Sequence, residues 1–304
     1  MPRALLATTL LLALAACGDS NDTPLEPATS EGEALSIQGA QLTGTLVFAA
    51  PGAQSYDLFT VRPDGTGRTP LVSFPGNDVA PAWSSDNNQI AFIRSRLDGG
   101  NVLHGEVFVV DKTGGNGHWL TANPMGQVLR SPAWSPSGDR VLVVTPSSEL
   151  ISIDVATGVP TTLPYQADVA TFDPTGDLIL FSTPSSIRIG HADGSGVVRT
   201  IGGPGGRFVE FPRFSPDGQR IAFAAAPPAS NNTDIYVVNA DGTGMTRVAG
   251  TPAVETYPTW SPDGQTLVYT SSKRDVIDLW RVPVSGGHRT RVTTGGGQQP
   301  SWTH

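Results

Sequence analysis

The 304-residue sequence contains a single cysteine, so no disulfide can form within it and the fold must rest on its core. Basic residues are scarce: 19 Lys and Arg stand against 27 Asp and Glu, a net charge of −8 that excludes the positive footprint a nucleic-acid partner requires. No Gly-x-Ser-x-Gly, His-Glu-x-x-His or phosphate-loop pattern occurs. His104, His118, His191, His288 and His304 are dispersed without metal-ligand spacing, so neither a metal nor a cofactor is expected. The apolar run from Ala4 to Ala16 is too short to cross a bilayer. Turn formers, by contrast, abound: 35 Gly and 26 Pro make up about a fifth of the chain, where ordinary usage is roughly 12%. Many turns and few helices follow.

The N-terminus has the layout of an export signal, with Arg3 ahead of the apolar run. The run ends Leu14-Ala-Ala-Cys17, which resembles the lipobox of bacterial lipoproteins. That resemblance implies a signal peptide over 1–16, lipidation of Cys17, and a membrane anchor through it. Gly18 rather than Asp follows the cysteine, which points to the outer membrane, facing the periplasm. No Lys or Arg occurs between Arg3 and Arg62, whereas Asp19, Asp22, Glu26, Glu31 and Glu33 do, so 17–42 reads as a flexible acidic tether.

From residue 43 onward the chain repeats. The complete copy is Tyr257-Pro-Thr-Trp260-Ser-Pro-Asp-Gly264, in which strand alternation sets Pro258 and Trp260 on one face and Ser-Pro-Asp-Gly supplies a tight turn. The Pro-x-aromatic step recurs at Pro81-Ala-Trp83, Pro132-Ala-Trp134, Ala170-Thr-Phe172, Pro212-Arg-Phe214, Pro258-Thr-Trp260 and Pro300-Ser-Trp302, with aromatics 51, 38, 42, 46 and 42 residues apart. A second glycine turn follows in each unit, as in Asp64-Gly-Thr-Gly67 and Asp241-Gly-Thr-Gly244. Four short strands in about forty residues is the span of a propeller blade.

This repeat resembles the TolB-like, WD40-like β-propeller repeat, best over residues 211–244, where Phe214-Ser-Pro-Asp-Gly218, Ile221-Ala-Phe223, Ile235-Tyr-Val237 and Asp241-Gly242 fall in order. The fold expected over 43–304 is all-β, a six-bladed β-propeller of four-stranded antiparallel blades. The first unit lacks a Pro-x-Trp strand and the last Pro-x-Trp has no blade after it. The C-terminal strand should therefore pair with the first blade and close the ring.

Glycine turns should occupy one face and longer loops (94–104, 121–131, 202–211, 225–233, 271–276) the other, where binding residues usually sit. Asp78, Arg130, Asp168, Glu210 and Glu255 precede the innermost strands and are the candidate ligand-binding residues around the channel mouth. Their alternative role is that of solvated loop ends. A second acidic set, Asp57, Glu106, Asp234 and Asp278, opens the third strands; spread around a ring it cannot converge on one ion, and bonding to local backbone, Arg94 or Arg274 is expected instead. The resemblance implies a non-catalytic scaffold for an envelope protein or peptide. The alternative is a carbohydrate-binding or lyase-like propeller acting on a glycan at the channel mouth. Propeller-linked serine peptidases carry a separate hydrolase domain, for which these residues leave no stretch, and the tether is too short for the N-terminal domain of TolB.

Overall fold

Short apolar strands punctuated by Pro and Gly fold into six four-stranded antiparallel sheets in the computed structural model, which describes residues 42–98, 101–121, 128–227 and 232–303. The leader, Cys17 and the tether up to residue 41 lie outside the described residues. Blade 1 takes β1 (Leu46–Pro51), β2 (Tyr56–Val61) and β3 (Thr69–Val72). Blade 2 holds β4 (Asp78–Trp83), β5 (Gln89–Asp98), β6 (Asn101–Asp111) and β7 (His118–Trp119). Blade 3 holds β8 (Arg130–Trp134), β9 (Arg140–Val144), β10 (Glu149–Asp154) and β11 (Pro160–Gln166). In blade 4 stand β12 (Val169–Phe172), β13 (Leu178–Thr183), β14 (Ser186–His191) and β15 (Val197–Gly202). Blade 5 comprises β16 (Val209–Phe214), β17 (Arg220–Ala225), β18 (Asp234–Asn239) and β19 (Thr246–Ala249). Blade 6 comprises β20 (Val254–Trp260), β21 (Thr266–Lys273), β22 (Val276–Pro283) and β23 (Thr290–Arg291). The last strand, β24 (Gln298–Trp302), joins blade 1, pairing Leu46 with Trp302 and Val47 with Ser301, so the ring closes as its complementary ends require.

The core lies between the blades. Six buried apolar clusters each draw on two neighbouring blades; the closing one unites Leu46, Phe48 and Trp302 of blade 1 with Val268, Leu279 and Val292 of blade 6. The repeated tryptophans belong to these seams. Trp134 Nε1 donates to Ala82 O (3.2 Å) and Trp260 Nε1 to Arg213 O (3.1 Å), each reaching the preceding blade. The glycine of the second turn is needed for the same close approach. At Gly65 (φ 90°) a Cβ would stand 2.6 Å from Val292 O, and at Gly114 (φ 86°) 2.3 Å from Leu71 O.

Two segments expected as irregular loops are hairpins. Residues 94–104 continue the β5–β6 ladder as far as Asp98 opposite Asn101, and 271–276 continue β21–β22 as far as Lys273 opposite Val276. A ladder needs backbone donors and acceptors more than apolar side chains, so polar sequence did not end it. Arg274 (φ 54°) occupies the tip of the second hairpin.

The acidic set of the third strands is buried; backbone bonding is met at Asp278, which accepts from Gly296 N (3.2 Å), while the arginines that pair with the set are not those expected. Asp57 accepts from Ser55 and Ser73, Asp234 pairs with Arg247 (3.0 Å), and Asp278 pairs with Arg291 and accepts from Thr293 (3.1 Å). Glu106 is fully buried opposite Arg94 in the ladder. The arginines that serve this set come from the outer strands of blades 5 and 6, while Arg94 turns to Asp78. Arg274 bonds none of them.

Candidate functional site at the channel mouth

The inner strands carry a shared irregularity. Ala80, Ser131, Phe211, Tyr257 and Gln299, each immediately before the repeat proline, have φ between 51° and 55°. In β4, β16 and β20 the ladder shifts register at that point, for instance between Glu210 and Arg213, and β8 and β24 shift there too. Proline has no N–H for the ladder, so inside a sheet it is admitted at a bulge. β12 has Ala170 in place of the proline and pairs with β13 without interruption.

The bulge decides which predicted residues reach the channel. Asp78 and Glu255 stand three residues before the proline and are 0% exposed, as are Leu129 and Val209 at the same position within a percent. Asp78 binds Arg94 through two bonds (Nε to Oδ1 2.8 Å, Nη2 to Oδ2 3.2 Å), and that guanidinium lies between the rings of Phe74 (3.8 Å) and Phe108 (4.0 Å). Burial raises the Asp78 pKa while Arg94 opposes the shift. Glu255 accepts from Thr251 Oγ1 (2.9 Å) and pairs with Arg289 (3.3 Å), yet its Oε2 has no partner among the described residues. Burial pushes its pKa up to about 7. These two carboxylates belong to the seams rather than to the channel surface.

Arg130 and Glu210 stand two residues before the proline and remain accessible; Asp168, in the turn before the bulge-free β12, is half-buried. Asp168 stands within electrostatic reach of Glu210, and Glu210 and Arg130 each within reach of Tyr257. Burial pushes the Glu210 pKa up to about 7, and the nearby Asp168 charge adds to the rise. Arg130 donates from Nη2 to Thr145 O (2.9 Å), and Asp168 accepts a long bond from Ser148 (3.4 Å). The bulge residues complete the group, and the sequence reading passed over them. Phe211 and Tyr257 stack with ring centroids 3.7 Å apart, Gln299 Nε2 donates to the Tyr257 hydroxyl (3.3 Å), and Ala80 N donates to Gln299 Oε1 (3.0 Å). Burial raises the Tyr257 pKa, with Glu210 adding to the shift and Arg213 and Arg130 opposing it. The signal for them was present: each immediately precedes the proline. Among the described residues no group of three or more His, Cys, Asp or Glu is arranged to hold a metal ion.

Arranged this way, the mouth offers one guanidinium, two carboxylates and a stacked aromatic pair to a ligand entering from the loop face. Residues 207–304 match the family described as TolB beta propeller domain. The chain is 28% identical over 258 residues to Dipeptidyl-peptidase 5 of Porphyromonas gingivalis, covering 78% of this chain and 36% of that protein. It is 29% identical over 155 residues to Tol-Pal system protein TolB of Anaeromyxobacter sp. (strain K), covering 51% of this chain and 26% of that protein. The chain therefore spans about a third or less of the length of these curated relatives. Among solved structures, TolB from Acinetobacter baumannii superposes with a TM-score of 0.74 at 21% identity, covering 87% of this chain and 67% of that one. An oligogalacturonate lyase in complex with manganese superposes with a TM-score of 0.56 at 14% identity, covering 82% and 74%. Identities this low between the superposed structures speak to the fold alone. In fold this protein is a six-bladed β-propeller, and over residues 207–304 its repeat is that of the TolB beta propeller domain.

Proposed function

We propose that the chain is a non-catalytic, lipid-anchored scaffold of the bacterial envelope that holds a protein or peptide at the loop-side mouth of its channel. The observation that carries this reading is the approach of Arg130 and Glu210 to the Phe211–Tyr257 stack, with Asp168 near Glu210, the three charges coming from three blades. A rigid aromatic pair beside charges of both signs suits a polypeptide surface, in which aromatic and arginine anchors dominate binding. The likeness to proteins named as TolB of the Tol-Pal system supports an envelope partner. Lipidation at Cys17, with the outer membrane as destination, extends the reading to the N-terminus.

The test is a pull-down from the native envelope with residues 43–304, beside the R130A/D168A/E210A variant. Wild type should retain a partner that the variant loses at an unchanged melting temperature. Equal recovery by both, or binding to a glycan array with no protein recovered, would overturn the reading. Replacing Cys17 by Ser should move the full chain from the membrane to the soluble fraction; retention would remove the anchor from the proposal.

A further inference from the structure

Beyond the layer formed by Phe211, Tyr257 and Gln299, the channel opens into a second space on the turn side. Its volume is about 310 Å³, at the lower end for small-ligand sites. Each blade contributes to its wall the residue just before the repeat aromatic: Ala82, Ala133, Thr171, Arg213, Thr259 and Ser301. Five of the six are small and uncharged. The sixth is an arginine.

Among the described residues no carboxylate pairs with Arg213. Its one hydrogen bond there runs from Nη1 to the carbonyl of its own neighbour Pro212 (3.1 Å), and neither an ion pair nor a cation–π contact holds the guanidinium. Asp173 also lines the cavity, but its oxygens accept from Thr175, Gly176 and Leu178. The arginine borders the open channel and so stays partly accessible, yet it is desolvated enough to bring its pKa down to about 10. A guanidinium has five N–H donors, and leaving them unpaired in a desolvated place is unfavourable. The Tyr257 hydroxyl stands within electrostatic reach of Arg213 and opposes part of that fall.

We propose that the turn-side cavity is a binding site for a small organic carboxylate, with Arg213 as its counter-ion. A guanidinium fork matches a carboxylate in geometry and in charge. The double charge of a phosphate would exceed the single cation present. Thr171 and Thr259 flank Arg213 from the adjacent blades, and Ser301, whose oxygen accepts from Trp83 N (3.1 Å), keeps its own proton to donate. Proline rings, indoles and the two phenylalanines Phe172 and Phe214 form most of the remaining wall, beside Ser85, Asp173 and Ser215, and suit an apolar body behind the carboxyl group. The carboxyl group can belong to a free acid or to a peptide C-terminus.

Four of the six tryptophans, Trp83, Trp134, Trp260 and Trp302, line this cavity, so its occupation can be read by tryptophan fluorescence. Full-length protein is titrated with butyrate, with trialanine, with trialanine amide and with inorganic phosphate. Saturable change with butyrate or trialanine but not with the amide supports the site, and which of the two saturates identifies the source of the carboxylate. R213Q should weaken that response at least about tenfold, as expected for loss of a charge-assisted bond, with R213K intermediate. R130A/D168A/E210A should respond as wild type, which keeps this site distinct from the mouth. The melting temperature of R213M guards against misfolding and should equal or exceed that of wild type, because the substitution breaks no ion pair and relieves the desolvation of the guanidinium. Response to phosphate alone, response to none of the probes, an undiminished response in R213Q, or a marked fall in R213M stability would each overturn the proposal.

Discussion

Asp78 and Glu210 occupy neighbouring positions of one repeat, three and two residues before the proline, and they meet opposite surroundings. Asp78 is sealed in a seam between blades, clamped by an arginine that two phenylalanine rings enclose. Glu210 borders the channel near a second carboxylate, and among the described residues no arginine is bonded to it. Successive strand side chains point to opposite faces, so one step in sequence moves a carboxylate from seam to channel. The same composition thus carries structure in one place and leaves chemistry free in the other.

Removing a seam group should therefore cost stability, and the largest loss is expected where the ring closes. Trp302 is 1% exposed, donates from Nε1 to Thr43 O (2.9 Å), and packs between blades 1 and 6. Trp302→Ala should destabilise by about 3–5 kcal/mol, and deleting residues 300–304 by more, since β24 then no longer covers β1. Thermal melting checks both. A melting temperature within about 2 °C of wild type, less than the shift expected for even 1 kcal/mol, would mean that the ring closes through other contacts.

Breaking a buried pair comes next. Asp78→Ala leaves Arg94 charged and unpaired among aromatic rings and should destabilise by about 3 kcal/mol. Glu210→Ala should cost no stability and at pH 8 should raise it, because burial has lifted the pKa of this carboxyl group to about 7 and its ionised form opposes folding. Urea melts of the two variants side by side would test the assignment of seam and channel, and equal losses would erase the distinction.

Much of the seam was legible in the sequence and much of the channel was not. Pro-x-Trp and the two glycine turns mark strand ends directly, which is why blade number, strand order and closure by Trp302 follow from spacing. The step from Asp78 to Glu210 hides behind a bulge. Residues two and three before the proline look alike as letters, and their faces separate when counted back from Pro81 or Pro212. Blade 4 shows the limit: without a proline β12 has no bulge, and Asp168 lies in the preceding turn although it stands two residues before Ala170. Arg213 was hidden for another reason. It fills the variable middle of Pro-x-Phe, and its isolation becomes visible when the six middle residues are seen around one channel.

Glu255 sharpens the comparison because it is a seam carboxylate incompletely satisfied. Its pKa rises from 4.5 to about 7 despite Arg289 and Thr251. A carboxyl group raised on folding binds more protons in the folded state, so the stability it contributes is present below pH 4.5 and lost as pH rises through 7. Glu255→Gln should remove that loss and raise the melting temperature at pH 8 relative to wild type, with little difference at pH 4.5. A flat wild-type profile between these pH values would show that the pair with Arg289 offsets the burial.

Arg130 carries the smallest expected effect on stability and so tests the channel side most directly. It is exposed, and among the described residues its one hydrogen bond is to the Thr145 carbonyl and it forms no ion pair. Arg130→Ala should shift stability by less than about 0.5 kcal/mol, while weakening retention of the partner at the mouth. Glu210 gives that retention a pH signature: its carboxyl group, with a pKa raised to about 7, is neutral at pH 5.5 and charged at pH 8.5. A partner that uses this charge should be held differently at the two pH values by wild type and equally by Glu210→Gln. If Arg130→Ala instead melts several degrees lower, the mouth is built like a seam, and the division of labour between the two neighbouring positions fails where it was expected to be cleanest.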